Sequence, residues 1–253
     1  EIGAHFIDNV WNNAFVVSLF FVTYAYSGWN AAAYIGGEVK NPKKNLPLAL
    51  IIGTGTVSVL YILLNYVFLK HIPMDEMAGK LDIGVIYADK ILGTVWGRIF
   101  GGVIAFLLLS SISSMVLAGP RVTNAVAKDF TKLNWFSHEN ESGIPKRALW
   151  IQAIIAMTFV LTSGFESLIT MIGFVLNLFT MLTVIGAIRV GLRIKKVSGL
   201  VNKFVFPLFP IIFLLFQTWI LGFGLYSKTK ESIIGLGITL IGIPVYRWVR
   251  KSK

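Results

Sequence analysis

Residues 24–47 read YAYSGWNAAAYIGGEVKNPKKNLP. They close an apolar run that begins near residue 10, and they do not read as an uninterrupted membrane helix. Ser27-Gly28-Trp29-Asn30 falls at about bilayer depth. Gly28 weakens helical continuity by removing side-chain constraint, and Ser27 can offer its hydroxyl to a freed backbone group. Inside hydrocarbon every backbone N–H and C=O needs a partner. A break there is tolerated only where it faces protein or a wet cavity. Helices interrupted at mid-membrane are places where exposed carbonyls hold a cation or ammonium and a half-helix N-terminus favours an anion. The same residues also suit a plain Ser-Gly kink, with Ala31, Ala32 and Ala33 allowing close packing. Spacing alone leaves both readings open.

The rest of the chain says which solvent surrounds that segment. The 253 residues are 55% hydrophobic and only 14% charged, and mean hydropathy is +0.73, far above a soluble domain. Apolar runs of about 17 to 25 residues recur, the length that crosses a hydrocarbon core of roughly 30 Å. The dyad alternation of a β-barrel is missing from the sequence. The expected class is an all-α integral membrane protein. A net charge of +11 would suggest nucleic acid for a soluble domain. In a polytopic membrane protein it marks cytoplasmic loops instead, so no nucleic-acid partner is expected. Without cysteine there is no thiolate chemistry. No cofactor, metal pattern or enzymatic constellation is read from the sequence, and His5, His71 and His138 are scattered.

Seven spans are expected, at about 10–37 (broken near 27–30), 47–69, 98–127, 148–163, 167–190, 204–226 and 232–249. The stretch 70–97 reads as one or two short amphipathic helices. Ser163-Gly164-Phe165-Glu166 reads as a tight hairpin, compatible also with a re-entrant pair. One side of the membrane takes Lys40, Lys43, Lys44, Arg121, Lys128, Lys132, Lys146 and Arg147. It also takes Arg189, Arg193, Lys195, Lys196, Lys203, Arg247, Arg250, Lys251 and Lys253. These are seventeen of the 23 Lys and Arg residues, which makes that side cytoplasmic. The expected topology is N-terminus outside and C-terminus inside. An outside start at Glu1 with no targeting segment leads to the expectation that further spans precede it.

The segment Tyr26-Ser27-Gly28-Trp29-Asn30, with Gly37-Glu38, Asn41-Pro42 and Asn45-Leu46-Pro47, resembles the sixth-helix signature of permeases of the amino acid–polyamine–organocation superfamily, nearest its L-type amino acid transporter branch. SSMVLAGPRVTNAVAKD resembles the family's eighth helix, FPLFPIIFLL the start of its eleventh and GIPVYRWVRK the end of its twelfth. The resemblance implies a LeuT-like fold, of which this chain matches spans six to twelve. Residues 1–190 would be the second inverted five-helix repeat, and 191–253 two peripheral helices with a basic tail. It implies an amino acid permease of the cell membrane working by alternating access, here as the C-terminal portion. The alternatives are a non-transporting fragment, or a half that needs a separate N-terminal partner or accessory subunit. A seven-helix receptor matches the span count but lacks the usual span-end motifs.

By the same resemblance, carbonyls near Tyr24, Ala25 and Ser27, with Gly28, would receive a substrate α-amino group. Tyr24 would form an aromatic gate, although an interfacial tyrosine fits too. Trp29 and Asn30 would brace the break or touch substrate. Asn177, a lone amide in an apolar helix, should face the bundle. It either lies near the binding cavity or makes an interhelical hydrogen bond. Ser110, Ser113 and Ser114 share one helix face, suited to a sodium ion where relatives have one, or to close packing. Glu38 reads as an inner-gate group or a solvated cap. The sequence does not identify the coupling ion, H+ or Na+. The absence of a mid-membrane acid weighs weakly against a dedicated cationic substrate.

Overall fold

A computed structural model describes residues 12–30, 39–141, 143–193 and 205–250. The described residues are all-helical, with no strand. Helix α1 runs Asn13–Ala25 and is followed by a single 3-10 turn, Ser27–Asn30. Then come α2 (Pro42–His71), α3 (Met74–Met77), α4 (Ile83–Leu92) and α5 (Thr94–Lys128). A second 3-10 segment, Thr131–Phe136, leads to α6 (Lys146–Thr162), α7 (Phe165–Arg193), α8 (Val205–Ser227) and α9 (Thr229–Arg250). Five of the described helices have the length and apolarity to cross a membrane: α2, α5, α7, α8 and α9. With 13 residues α1 falls short of a full span, and α6, with 17, is at the lower limit for one. Within the first expected span, α1 runs to Ala25 and the 3-10 turn follows it; residues 31–38 lie outside the described set.

Local chemistry sets the boundaries. Asn12 caps α1 in extended geometry, its Oδ1 accepting from the Ala14 N–H at 3.0 Å. α2 begins at Pro42 rather than near Pro47. Proline suits a first helical position because its missing N–H would be unpaired anyway. Asn41 precedes it in the left-handed region (φ 50°), and the Asn45 amide donates to the Lys40 carbonyl at 2.6 Å. Pro47 therefore sits inside α2, where it removes one intrahelical donor from the second turn. Gly93, at φ 88°, joins α4 to α5 in a conformation that L side chains rarely adopt. The stretch expected to hold short amphipathic helices forms α3 and α4.

The chain divides into two compact units. One holds α2 to α5 and residues 133–152. Here α4 lies along α5 so closely that a Cβ on Gly97 would stand 2.9 Å from the Asp89 Cα. No residue of α2 is buried, and α5 buries only Gly97, Pro120, Asn124 and Ala127. Its loop is tied to the end of α5 by Glu139, whose carboxylate accepts from Asn124 Nδ2 and Lys128 Nζ, each at 2.5 Å. Those two donors, Lys128 first, hold the Glu139 carboxyl below its ordinary value. Arg147 lies over the Trp135 ring at 5.0 Å and donates to the Trp135 carbonyl.

The other unit holds α1, residues 130–132, the second part of α6, and α7 to α9. Its core is Phe20 of α1, Phe174 of α7, and Ile220 and Leu221 of α8. Two glycines form a notch for Phe20. A Cβ on Gly173 would be 3.3 Å from the Phe20 Cβ, and one on Gly224 would be 2.5 Å from its Cζ. Close approach through small residues is how helices pack without a hydrophobic drive in lipid. Gly235 likewise brings α9 close to α7: a Cβ there would be 2.9 Å from Val175 Cγ2 and 3.3 Å from the Met171 carbonyl oxygen. Buried Ser232 donates its hydroxyl to the Gly224 carbonyl at 3.0 Å and pins the start of α9 to the end of α8. At the other end of α9, Lys132 Nζ donates to the Trp248 carbonyl at 2.9 Å and lies 4.6 Å from the centre of its ring.

Candidate functional site

The notch that seats Phe20 fixes α1 one turn before its end. Thr23 follows on the same face. Its hydroxyl donates to the Phe20 carbonyl at 3.1 Å and accepts from Asn177 Nδ2 at 3.0 Å. The same amide nitrogen donates to the Gly173 carbonyl at 2.8 Å, and Asn177 is buried. This Thr23–Asn177–Gly173 chain ties α1 to α7. In hydrocarbon such polar ties between helices contribute on the order of 1 kcal/mol.

Just past the tie the α-helix stops. The Tyr26 N–H still reaches the Val22 carbonyl at 3.1 Å, but Tyr26 itself sits at φ −91°, ψ 2°, the bridge region outside the α basin. The chain then tightens into the 3-10 turn Ser27–Asn30. A helix end leaves its last carbonyls without the usual amide partners four residues on. Tyr24 and Ala25 are exposed, Ser27 is half-buried, and Gly28 has open space where a Cβ would stand. No acidic or basic side chain lies in α1 or in the turn, so the local polarity comes from peptide dipoles and hydroxyls. The Tyr26 N–H at the cap faces the Tyr24 carbonyl as well as that of Val22.

The structure brings Tyr24, Ala25, Ser27, Gly28 and Asn177 into one unit. Trp29, Asn30, Ser110, Ser113 and Ser114 belong to the other. Trp29 is exposed, and the Asn30 side chain and Glu38 lie outside the described residues. The three serines are exposed on α5, and the Ser114 hydroxyl donates to the Ser110 carbonyl of its own helix at 3.1 Å. Sequence reasoning missed Thr23 and Gly173. A usable signal exists: Phe20, Thr23 and Ser27 recur at helical spacing, so a hydroxyl lies on the packed stripe of α1. Gln217, on the packed face of α8, was also missed; its buried Oε1 has no hydrogen-bond partner among the described residues. Among the described residues no group of His, Asp and Glu is placed to hold a metal ion.

Residues 2–243 match the amino acid permease family model. The chain belongs to the amino acid permease family. It is 32% identical over 243 residues to the large neutral amino acids transporter small subunit 2 of Homo sapiens, covering 91% of this chain and 44% of that protein. It is 27% identical over 234 residues to the serine/threonine exchanger SteT of Bacillus subtilis (strain 168), covering 91% of this chain and 53% of the exchanger. Against the cystine/glutamate transporter of Homo sapiens it is 26% identical over 254 residues, 94% and 48% of the respective chains. The chain thus spans about half the length of the curated relatives it matches. The family is one of transporters rather than enzymes. With five membrane-length apolar helices, this is an integral membrane protein.

Proposed function

We propose that this chain is the C-terminal part of a secondary amino acid permease or exchanger that works by alternating access in the cell membrane. In this reading α1 and the turn after it are the two parts of one discontinuous helix. Together with α2 and α5 to α7 they form the second repeat of a LeuT-like core, with α8 and α9 peripheral. The observation that carries the reading is the end of α1 at Ala25 and the 3-10 turn Ser27–Asn30, inside a stretch otherwise apolar enough to cross the bilayer. The substrate α-amino group sits against carbonyls of Tyr24, Ala25 and Ser27, and Gly28 lets the solute approach the backbone. Tyr24 covers the bound amino acid, and Asn177 holds the end of α1 in place through Thr23. Trp29 and Asn30 brace the turn, and Glu38 belongs to the inner gate. The excess of Lys and Arg on one side of the membrane supports a cytoplasmic basic tail.

A companion half completes the transporter. Among the described residues none of the side chains in the apolar windows of α2 and α5 is buried, which leaves much of the apolar surface of these two helices for lipid and for further protein. The decisive experiment is uptake and counter-exchange of radiolabelled neutral amino acids in proteoliposomes. It compares this chain alone, this chain with the segment encoded upstream of it, and the latter carrying Gly28→Leu. Transport is expected only with the upstream segment and should fall at least tenfold in the variant. Full transport by the Gly28→Leu protein would refute the site, and no transport of any amino acid would refute the function.

A further inference from the structure

A crevice of about 610 Å³ opens at the start of α1. One wall is the α1 stripe Ala14, Val17, Ser18 and Phe21, at i, i+3, i+4 and i+7. The Ser18 hydroxyl is turned to its own helix, donating to the Phe15 carbonyl at 2.6 Å, so this wall is effectively apolar. The mouth carries Glu166 and Lys228, paired at 2.9 Å and both accessible. Their depth follows from the fold. Lys228 is the one residue between α8 and α9, each long enough to cross a membrane, and Glu166 lies in the first turn of α7, a third such helix. The ion pair therefore stands at the bilayer–water boundary. From there the apolar stripe runs inward by roughly 10 Å at 1.5 Å per residue.

We propose that this crevice binds an ethanolamine phospholipid. The phosphate meets Lys228, the primary ammonium meets Glu166, and one acyl chain lies along Ala14–Phe21. A charge pair of opposite signs complements a zwitterion. An anionic headgroup would meet Glu166 unfavourably, and a choline headgroup has no N–H to donate to it. A free amino acid offers the same two charges but leaves the apolar stripe unfilled. The inference rests on the membrane assignment and not on the transport reading.

The test is photo-crosslinking of the chain in phosphatidylcholine vesicles doped with diazirine-tagged phosphatidylethanolamine, phosphatidylcholine or phosphatidylglycerol, with the labelled peptides mapped. The ethanolamine lipid should label α1 and the α8–α9 junction at least fivefold more than the other two. Labelling should be lost in the Glu166→Gln/Lys228→Gln variant and kept in Lys230→Gln. Should the double variant fail to fold, Val17→Trp fills the crevice without touching the ion pair and should abolish the same labelling. Equal labelling by all three lipids, or labelling unchanged in Val17→Trp, would overturn the proposal. Displacement by millimolar free amino acid would overturn it in favour of a solute site. Transport does not enter the readout, so loss of the permease reading leaves this test intact.

Discussion

The seat of Phe20 can be tested by exchanging bulk across it. In Gly224→Ala the new Cβ would lie 2.5 Å from Phe20 Cζ and 2.9 Å from Cε2. Carbon atoms rest about 3.5–4.0 Å apart, so the ring tip would have to retreat by roughly 1 Å. It has nowhere to go. Phe20 is 0% exposed, and on its other side Gly173 already approaches the Phe20 Cβ. The helix itself must shift, at about 1–3 kcal/mol for overpacking of this kind. Phe20→Leu removes the outer ring carbons and costs part of the roughly 3–5 kcal/mol of a full Phe truncation. When the two changes are combined, the methyl added at position 224 occupies the space the ring gave up. The double variant should be at least about 1 kcal/mol more stable than the two single losses added together. Unfolding of the purified chain by SDS titration in mixed micelles, followed by the change in tryptophan emission that depends on Trp219 (the part lost in a Trp219→Phe background), reads this, because Trp219 packs against the same cluster. Losses that add to within about 0.5 kcal/mol would refute the notch as the determinant of where α1 sits.

Three further outcomes are expected. Asn177→Leu should lower stability by on the order of 1 kcal/mol, and adding Thr23→Val should lower it little more, because the two share one hydrogen bond; independent costs in the same titration would break the proposed tie. Gln217→Met should be neutral or stabilising by up to about 1–3 kcal/mol, since it removes an unpartnered buried oxygen while keeping volume, and thermal unfolding in detergent checks it. Acidification should destabilise the Glu139 tie. Its native carboxyl titrates below that of the unfolded chain, so the tie contributes fully above the unfolded value and is lost as pH falls through the native one. Lys128→Gln should flatten that acid limb of a stability–pH profile measured from pH about 7 to about 3.

Which features the sequence could reveal follows from how local their causes are. The end of α1 was readable because Ser27 and Gly28 act on their own backbone. The pieces α3 and α4, and the stop between α6 and α7 at Ser163-Gly164, are local in the same sense. Between Pro42 and Pro47 both residues can open a helix, and only the geometry of Asn41 decides for Pro42. The Thr23–Asn177 bond joins residues 154 positions apart, beyond any periodicity argument. Asn177 could be expected to face inward, but its partner could not be named. The notch glycines were hidden for a related reason. In an apolar helix a glycine that seats a ring looks like one that merely packs, and only Phe20 distinguishes Gly173 and Gly224 from Gly222. The ties of Glu139 and Lys228 lie at helix ends and in loops, where pattern says charge but not partner.

The contact of Lys132 with Trp248 has a consequence for biogenesis. The Trp248 carbonyl, near the end of α9, finds its ammonium donor 116 residues upstream, so the donor leaves the ribosome long before its acceptor exists. Until α9 has been released, Lys132 and the segment around it have no docking surface there. Closure of that end of the unit therefore waits on synthesis of α9, and a chain cut short before Trp248 would leave the donor permanently unanchored.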